Sequence, residues 1–159
     1  MKLKLLASIL VFANICVNAI AADNVVPYPT GYRDWQHVKS MVIQEGHPLY
    51  ASFGGIHHLY ANSKAIAGYR SGKYADGSVI AFDLLEAEAQ GSAITVGKRK
   101  VLGVMHKDSK NYASTGGWGF EGFARDSQTQ RAVGSNAVTA CFGCHLAQQD
   151  SGFVFSKLR

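Results

Sequence analysis

Alternating apolar and polar positions dominate the middle and the C-terminal half of this chain. Successive side chains of a β-strand point to opposite faces, so alternation over about 4–8 residues predicts a half-buried strand. The clearest example places Ile80, Phe82 and Leu84 on one face. On this pattern, and on their content of aromatic and β-branched residues, we predict strands over 53–62, 78–86, 99–106 and 116–124.

Apolar residues at helical spacing predict a few short helices between these strands. The first covers about 31–44, on the apolar positions Trp35, Val38, Met41 and Val42. A second follows Ser63 as N-cap and ends at Gly72, and a third covers 131–141. Residues 153–155 form either a closing strand or an extended tail. The predicted fold class is therefore α+β, a mostly antiparallel sheet packed with a few short helices.

Near the C-terminus the chain carries Cys141-Phe142-Gly143-Cys144-His145, the C-x-x-C-H attachment sequence for a c-type haem. The two thiols of this motif form thioether bonds to one porphyrin, and the histidine supplies the proximal nitrogen to the iron. We therefore predict one covalently attached haem c per chain. A thioredoxin-like redox pair would open a βαβ unit, and a structural zinc site would need further ligands at matching spacing.

The first 21 residues are typical of a secretory signal peptide. Lys2 and Lys4 precede an apolar stretch, and Ala19-Ile20-Ala21 matches a cleavage site. A retained N-terminal anchor is the alternative, although the apolar stretch is short for a membrane span. We expect cleavage after Ala21 and export to the periplasm. The two cysteines that remain both lie in the haem motif, so they serve chemistry and not a structural disulfide.

Residues 22–159 have the size of one domain, a single haem-binding domain. The net charge of +5 includes the two leader lysines, so the mature chain carries +3. No run of lysines or arginines is present in the sequence. This mild charge gives no support to nucleic-acid binding.

The late position of the motif predicts an iron with one open side. Only 14 residues follow His145, and none of them is methionine or histidine. A sixth ligand would have to come from Met41, Met105 or an upstream histidine. His57 and His58 are adjacent, so at most one of them faces the haem in a strand. An iron without a sixth protein ligand binds or transforms small molecules.

Six short motifs occur in a recognisable order along the mature chain. They are Tyr32-Arg33-Asp34-Trp35, Gly72-Lys73-Tyr74-Ala75-Asp76-Gly77, Lys107-Asp108-Ser109-Lys110, Gly117-Trp118-Gly119-Phe120, the haem motif and Phe153-Val154-Phe155-Ser156. Together they resemble the cytochrome P-460 and cytochrome c-prime-beta family. The resemblance implies an exported, mostly antiparallel haem protein that forms a homodimer, with histidine on one side of the iron and an open distal side. It also implies binding of nitric oxide and carbon monoxide, and hydroxylamine oxidation in the P-460 type.

The resemblance also directs attention to one lysine. The P-460 cytochromes carry an extra covalent link from a lysine to the porphyrin edge, in the helix before the Gly-x-x-x-Asp-Gly turn. Tyr69 and Arg70 stand at the matching positions here. An arginine cannot replace the lysine, because its guanidinium stays protonated. Lys73, just after Gly72, is the remaining candidate for the cross-link, and a solvated turn lysine is the reading that we favour.

Four more residues are candidates for the distal side. Glu121 is our candidate for a distal acid or base, and an ordinary edge-strand glutamate in water is the alternative. Phe82, Phe120 and Phe123 are candidates for an apolar distal cap, although a small core would also contain such aromatics. The glycines of 116–124 would let a flat group approach the backbone, or would serve a close sheet–helix contact.

Three functional hypotheses follow from these observations. The first is a five-coordinate cytochrome that binds nitric oxide or similar small nitrogen species. The second is an enzyme, a hydroxylamine or nitric oxide oxidoreductase, which needs the cross-link and a distal base. The third is simple electron transfer to a redox partner protein, with a six-coordinate iron. The late motif favours the first hypothesis.

Overall fold

A computed structural model describes residues 25–158 of the chain. The predicted signal peptide lies outside the described residues. Five strands form one antiparallel sheet in which each strand pairs with the next in sequence. They are β1 (Gln36–Ile43), β2 (Gly55–Ala61), β3 (Val79–Gln90), β4 (Ala93–Lys107) and β5 (Trp118–Ala124). The predicted α+β fold, with an antiparallel sheet and a few short helices, is confirmed.

The sheet has two faces with different surroundings, because successive residues of each strand alternate between them. The front face carries His57, Leu59 and Ala61 of β2, Ile80, Phe82 and Leu84 of β3, Val101, Gly103 and Met105 of β4, and Trp118, Phe120 and Gly122 of β5. The back face carries the residues between them, including Asp83, Leu102, Glu121 and Phe123. Each face packs against its own core cluster.

Short helices flank the sheet. Helix α1 is one turn, Tyr50–Phe53, and α2 covers Ser63–Ser71. Single 3-10 turns occupy Tyr32–Asp34 and Ala113–Thr115. The prediction that Ser63 caps α2 is wrong by one residue: the Asn62 side chain accepts the Ala65 amide at 2.9 Å. The predicted stop at Gly72 is confirmed, since Gly72 adopts the left-handed conformation that ends helices.

The predicted helix over 31–44 is wrong, because this segment holds a 3-10 turn followed by β1. Strand β1 is an edge strand with a register shift between His37 and Lys39. The shift breaks the alternation of buried and exposed positions, so that only Val38 and Ile43 are buried. The predicted helix rested on Met41 and Val42, which follow Val38 at helical spacing but are exposed on this edge strand. Met41, expected in the core of that helix, is 41% exposed.

The haem motif lies within a composite helical segment, here called the C-terminal helix (134–151). It contains a 3-10 turn Gly134–Asn136, a π-helical stretch Val138–Phe142, one α-turn Gly143–His145 and a 3-10 stretch Leu146–Ser151. The helix predicted over 131–141 begins three residues later in the structure, at Gly134, because Arg131 still forms a β-bridge with Phe123 of β5. Residues 153–155 form a tail without regular structure.

Two cores hold this arrangement together. On the front face, α2 and the C-terminal tail pack through Ala65, Ile66 and Val154 onto the sheet. On the back face, the N-terminal segment packs through Val26 and Tyr32. Within 25–158, no helix has the length and apolar character needed to cross a membrane.

Candidate haem-binding site

The imidazole of His145 is oriented for ligation by a single backbone contact. Its Nδ1–H donates to the carbonyl oxygen of Phe153 at 2.7 Å. A hydrogen bond at Nδ1 fixes the tautomer and leaves the lone pair of Nε2 available to a metal. Burial lowers the pKa of His145, which favours the neutral form that binds iron.

Two aromatic rings enclose this imidazole on the front face. The ring centroids of Phe120 and Phe155 lie 4.9 Å and 5.0 Å from that of His145. Phe120 comes from the sheet and Phe155 from the tail, so the imidazole is held between two separate parts of the chain. The tail thus both supplies the orienting carbonyl and packs against the ring.

The two cysteines of the motif lie one helical turn apart, on the same side of the C-terminal helix. Both are free thiols, Cys141 half-buried and Cys144 exposed. Burial raises the pKa of the Cys141 thiol, and the nearby Glu121 carboxylate and Cys144 act in the same direction. The π-helical stretch ends at Phe142, inside the motif, which places a widened turn where such distortions often mark functional sites.

Two glycines pair with each other on the front face. Gly103 and Gly122 are direct partners across β4 and β5, and Phe82 pairs with Gly103 from β3. A Cβ atom added at Gly103 would lie 3.2 Å from Phe82 Cδ1, and one at Gly122 would lie 3.1 Å from Val101 Cγ2. We call this pair the glycine step. Gly103 leaves the sheet surface low beside Phe82, where a flat ring can approach the backbone. At Gly122 the Val133 and Ala132 side chains lie 3.4 Å and 3.5 Å from the Cβ position.

Phe82 forms the far side of the step, together with two residues that the sequence analysis did not assign. The Phe53 ring meets it edge to face, with centroids 6.0 Å apart, and the His57 ring does so at 4.7 Å. Phe53 is the last residue of α1, which the predicted strand over 53–62 had included. The sequence signal for Phe53 was weak, because it lies before Gly54 and outside the alternation of β2.

A comparison with known families decides what this arrangement belongs to. The family model Cytochrome P460 matches residues 29–156, which include all five strands and the whole haem motif. The chain belongs to the cytochrome P460 family. This confirms the family that the motifs resembled, and it indicates a c-type haem protein. No curated protein matches the chain.

The described residues fit the haem that the cytochrome P460 family implies. The Nε2 of His145 is unengaged, the two free thiols lie on the same helical segment, and Gly103 leaves a low place on the front face. The apolar residues Val138, Leu146 and Phe155 around the motif are each at least half exposed. A flat apolar group would cover such a surface and be stabilised by it.

The predicted distal phenylalanines occupy different places in this member of the cytochrome P460 family. Phe82 lies across the glycine step from the motif, whereas Phe120 contacts the His145 ring. Phe123 is fully buried on the back face, where the Tyr28 ring meets it edge to face at 5.0 Å. Of the three, only Phe82 lies on the front face away from His145.

The carboxylate of Glu121 is held by hydrogen bonds on the back face. The residue is 6% exposed, so the expectation of an edge-strand glutamate in water is wrong. Its Oε1 accepts the amides of Gly122, Val133 and Gly134 at 2.8–3.1 Å, and its Oε2 accepts Arg131 Nη1 at 2.9 Å. Burial opposes ionisation, but these four donors outweigh it and lower the pKa of Glu121. The carboxylate therefore anchors the segment that leads into the C-terminal helix.

The residues considered for the lysine cross-link differ in their surroundings. The Tyr69 hydroxyl bonds to Ser156 Oγ at 2.6 Å, beneath the C-terminal tail. Burial raises the pKa of Tyr69, which keeps it a neutral phenol. Arg70 is exposed, and so is Lys73, which follows the end of α2 at Gly72.

Proposed function

We propose that this protein is an exported mono-haem c-type cytochrome that binds nitric oxide or a related small nitrogen species. In this proposal Cys141 and Cys144 hold the haem through thioether bonds, and His145 is its proximal ligand. The carrying observation is the orientation of His145, whose Nδ1 donates to the Phe153 carbonyl and whose Nε2 is left for the iron. The haem supplies an iron with one position open to a small ligand.

The residues on the proximal side act by holding the imidazole. The Phe153 carbonyl accepts the Nδ1 proton, which raises the basicity of Nε2 as a ligand. Phe120 and Phe155 restrict the rotation of the ring from both sides. Because Phe120 performs this task, we assign it to the proximal side and not to the distal cap.

Phe82 is the residue that we propose for the distal cap, with Phe53 beside it. Two phenyl rings offer no hydrogen-bond donor to a bound ligand, so they would favour uncharged diatomic ligands over anionic ones. Phe82 lies on β3, two strands away from Phe120 of β5, which contacts the His145 ring. At about 4.8 Å per strand, the strands that carry the two phenylalanines are about 10 Å apart.

Hydroxylamine oxidation is the alternative, and its two requirements are poorly met. Glu121 points to the back face and already accepts four hydrogen bonds, so it is badly placed as a distal base. Lys73 is exposed beyond the end of α2, and Tyr69 and Arg70 stand where the resemblance expects the linking lysine. We therefore propose a haem without the cross-link.

Absorption spectra of the purified holoprotein test the proposal. We expect a high-spin ferric and ferrous haem, and a shift of the ferrous spectrum on adding carbon monoxide or nitric oxide. A low-spin ferrous spectrum that ignores carbon monoxide would support electron transfer with a six-coordinate iron. A Soret band displaced far to the red, with a lysine-containing peptide that stays on the haem after proteolysis, would instead support the cross-linked enzyme.

Export and dimerisation remain part of the proposal. Exposed apolar side chains on β1, α1 and the β3–β4 hairpin offer a surface for a second copy: Met41, Val42, Tyr50, Ile94 and Val96. Tyr50 and Ile94 line one groove of about 460 Å³. Light scattering of the mature protein would show a dimer, and N-terminal sequencing from the periplasm would show the start after Ala21. A redox partner protein is a further prediction of the same kind.

A further inference from the structure

His57 is the most buried titratable side chain on the front face, and the proposed chemistry does not use it. It is 1% exposed and lies on β2, directly across from Leu84 of β3. Burial lowers the pKa of His57, so the imidazole is neutral near pH 7. A neutral imidazole has one N–H donor and one acceptor nitrogen.

The donor of this imidazole holds the end of α1. Nε2–H of His57 donates to the carbonyl oxygen of Phe53 at 2.5 Å. The neighbouring carbonyl of Gly54 accepts Lys100 Nζ at 2.8 Å. The backbone that carries the Phe53 ring is therefore held by side chains of β2 and β4, and His57 makes the contact at Phe53 itself.

The ring of His57 also supports Phe82 from the side. The two rings meet edge to face at 4.7 Å, and Phe53 meets Phe82 at 6.0 Å. His57 thus contacts both members of the aromatic pair, one through a hydrogen bond and one through its ring. Its Nδ1 is buried and has no hydrogen-bond partner among the described residues. Leaving a buried polar atom unpaired costs free energy, and such atoms call for an explanation in terms of function.

We propose that His57 is a positioning residue that sets how tightly Phe53 and Phe82 close over the ligand-binding side of the haem. This inference rests on the proposed function and deepens it. With the Phe53 carbonyl held, the two rings keep a fixed separation, and a small ligand must pass between them. Release of that carbonyl lets α1 and its ring move, which lowers the barrier for entry and for exit alike.

The test uses the ferrous holoprotein and carbon monoxide as the probe. His57→Phe keeps an aromatic ring against Phe82 but removes the donor to Phe53. We expect the association and dissociation rate constants to rise together by about three- to tenfold, the effect of one lost hydrogen bond. The equilibrium affinity should change little, because a gate acts on the path and not on the bound state. A loss of stability alone would not produce this pattern.

His58→Phe is the matched control, because His58 is the next residue on the same strand and points to the back face. There its Nδ1 lies 2.6 Å from Ser40 Oγ. We expect its carbon monoxide kinetics to match those of the wild type. His57→Gln supplies an amide donor for the Phe53 carbonyl, and we expect it to bring the rates back toward the wild-type values.

The outcomes distinguish a failure of the proposed function from a failure of the role of His57. If the wild type does not bind carbon monoxide, the proposed function fails. If the wild type binds it but His57→Phe leaves the rates unchanged, or alters them only as much as His58→Phe does, only the role of His57 fails. If His57→Phe yields no holoprotein, His57→Gln is compared with Phe53→Ala, which removes the Phe53 ring. Carbon monoxide rate constants in His57→Gln as high as those in Phe53→Ala would refute the role of the donor.

Discussion

The two faces of the sheet differ in how their functional groups are satisfied. On the back face, Asp83 is 2% exposed and accepts hydrogen bonds from the Tyr32 hydroxyl at 2.5 Å and from Arg99 Nε at 2.6 Å. Arg33 adds a longer contact to the same carboxylate at 3.3 Å. The buried charges of Asp83 and Arg99 therefore neutralise each other within the polypeptide.

The front face shows the opposite situation around the haem motif. His145 has one ring nitrogen bonded to the backbone and the other unengaged, and Cys141 and Cys144 are free thiols. Apolar side chains beside the motif are left exposed. On the back face, the polar groups bond to other groups of the protein. On the front face, a ring nitrogen and two thiols are left for the haem. The predictions below test this contrast, from the largest expected effect to the smallest.

Removing the central carboxylate of the back face should have the largest effect on stability. Asp83→Ala leaves Arg99 buried without its main partner, and breaking a buried ion pair in this way costs about 3–5 kcal/mol. Urea unfolding of the holoprotein measures the loss. Asp126→Ala removes the exposed partner of the same arginine, and we expect it to cost under about 1 kcal/mol. Equal losses in both variants would contradict the account of the back face.

Glu121→Gln should destabilise the protein by about 1–3 kcal/mol near neutral pH, because charge-assisted hydrogen bonds are lost. The pKa of Glu121 is lower in the folded than in the unfolded state, so its ionised form stabilises the fold above the unfolded pKa of about 4.3. This contribution disappears as the pH falls through the folded pKa. Unfolding curves at several pH values should therefore show the wild type and the variant converging in acid.

The exposed Glu88→Gln, on the β3–β4 hairpin, is the control for this pH series. We expect it to follow the wild type at every pH. Divergence of Glu88→Gln from the wild type, or a constant gap between wild type and Glu121→Gln down to about pH 3, would contradict an ionised anchor.

Filling the glycine step should affect the front face while leaving the fold intact. Gly103→Val directs a branched side chain toward Phe82, whose ring would already lie 3.2 Å from the first added atom. We expect the yield of holoprotein to fall several-fold, with a change in the free energy of unfolding of about 1 kcal/mol or less. The ratio of haem absorbance to protein absorbance measures the effect. A normal haem content would show that the haem does not approach this surface.

Tyr69→Phe should have the smallest effect. It removes one hydrogen bond to Ser156, which is worth about 1 kcal/mol, and leaves the ring packed against Tyr74. The haem spectrum should stay the same, because we assign no covalent role to this residue. A changed Soret band in this variant would show that the front face depends on the Tyr69 hydroxyl, and thermal unfolding would give the cost in stability.

Much of the front face could be predicted from the sequence, because it depends on local patterns. The alternation in β3 and β5 and the five residues of the haem motif are signals that do not need tertiary information. The ends of the β3–β4 hairpin were missed, because residues 86–94 are exposed and carry no burial pattern. Strand β1 was mistaken for a helix, because the apolar Met41 and Val42 follow Val38 at helical spacing although they are exposed.

The parts that escaped prediction depend on contacts between distant segments. Glu121 is buried because the segment of Val133 and Gly134 folds back along the edge strand and donates two amides to its carboxylate. Phe120 was a candidate for the distal cap, but the tail and the C-terminal helix bring His145 onto its ring, so we propose it for the proximal side. The rule that adjacent strand residues face opposite sides did separate His57 from His58 correctly, but it could not show which of the two was buried.

The most direct test of the central claim is the resonance Raman spectrum of the ferrous protein without added ligand. An iron bound by His145 alone, with its opposite side open, should show an iron–histidine stretching band and the marker bands of a five-coordinate high-spin haem. His145→Ala should keep the haem on Cys141 and Cys144 and lose that band. A six-coordinate low-spin spectrum in the wild type, or an unchanged iron–histidine band in His145→Ala, would contradict the account.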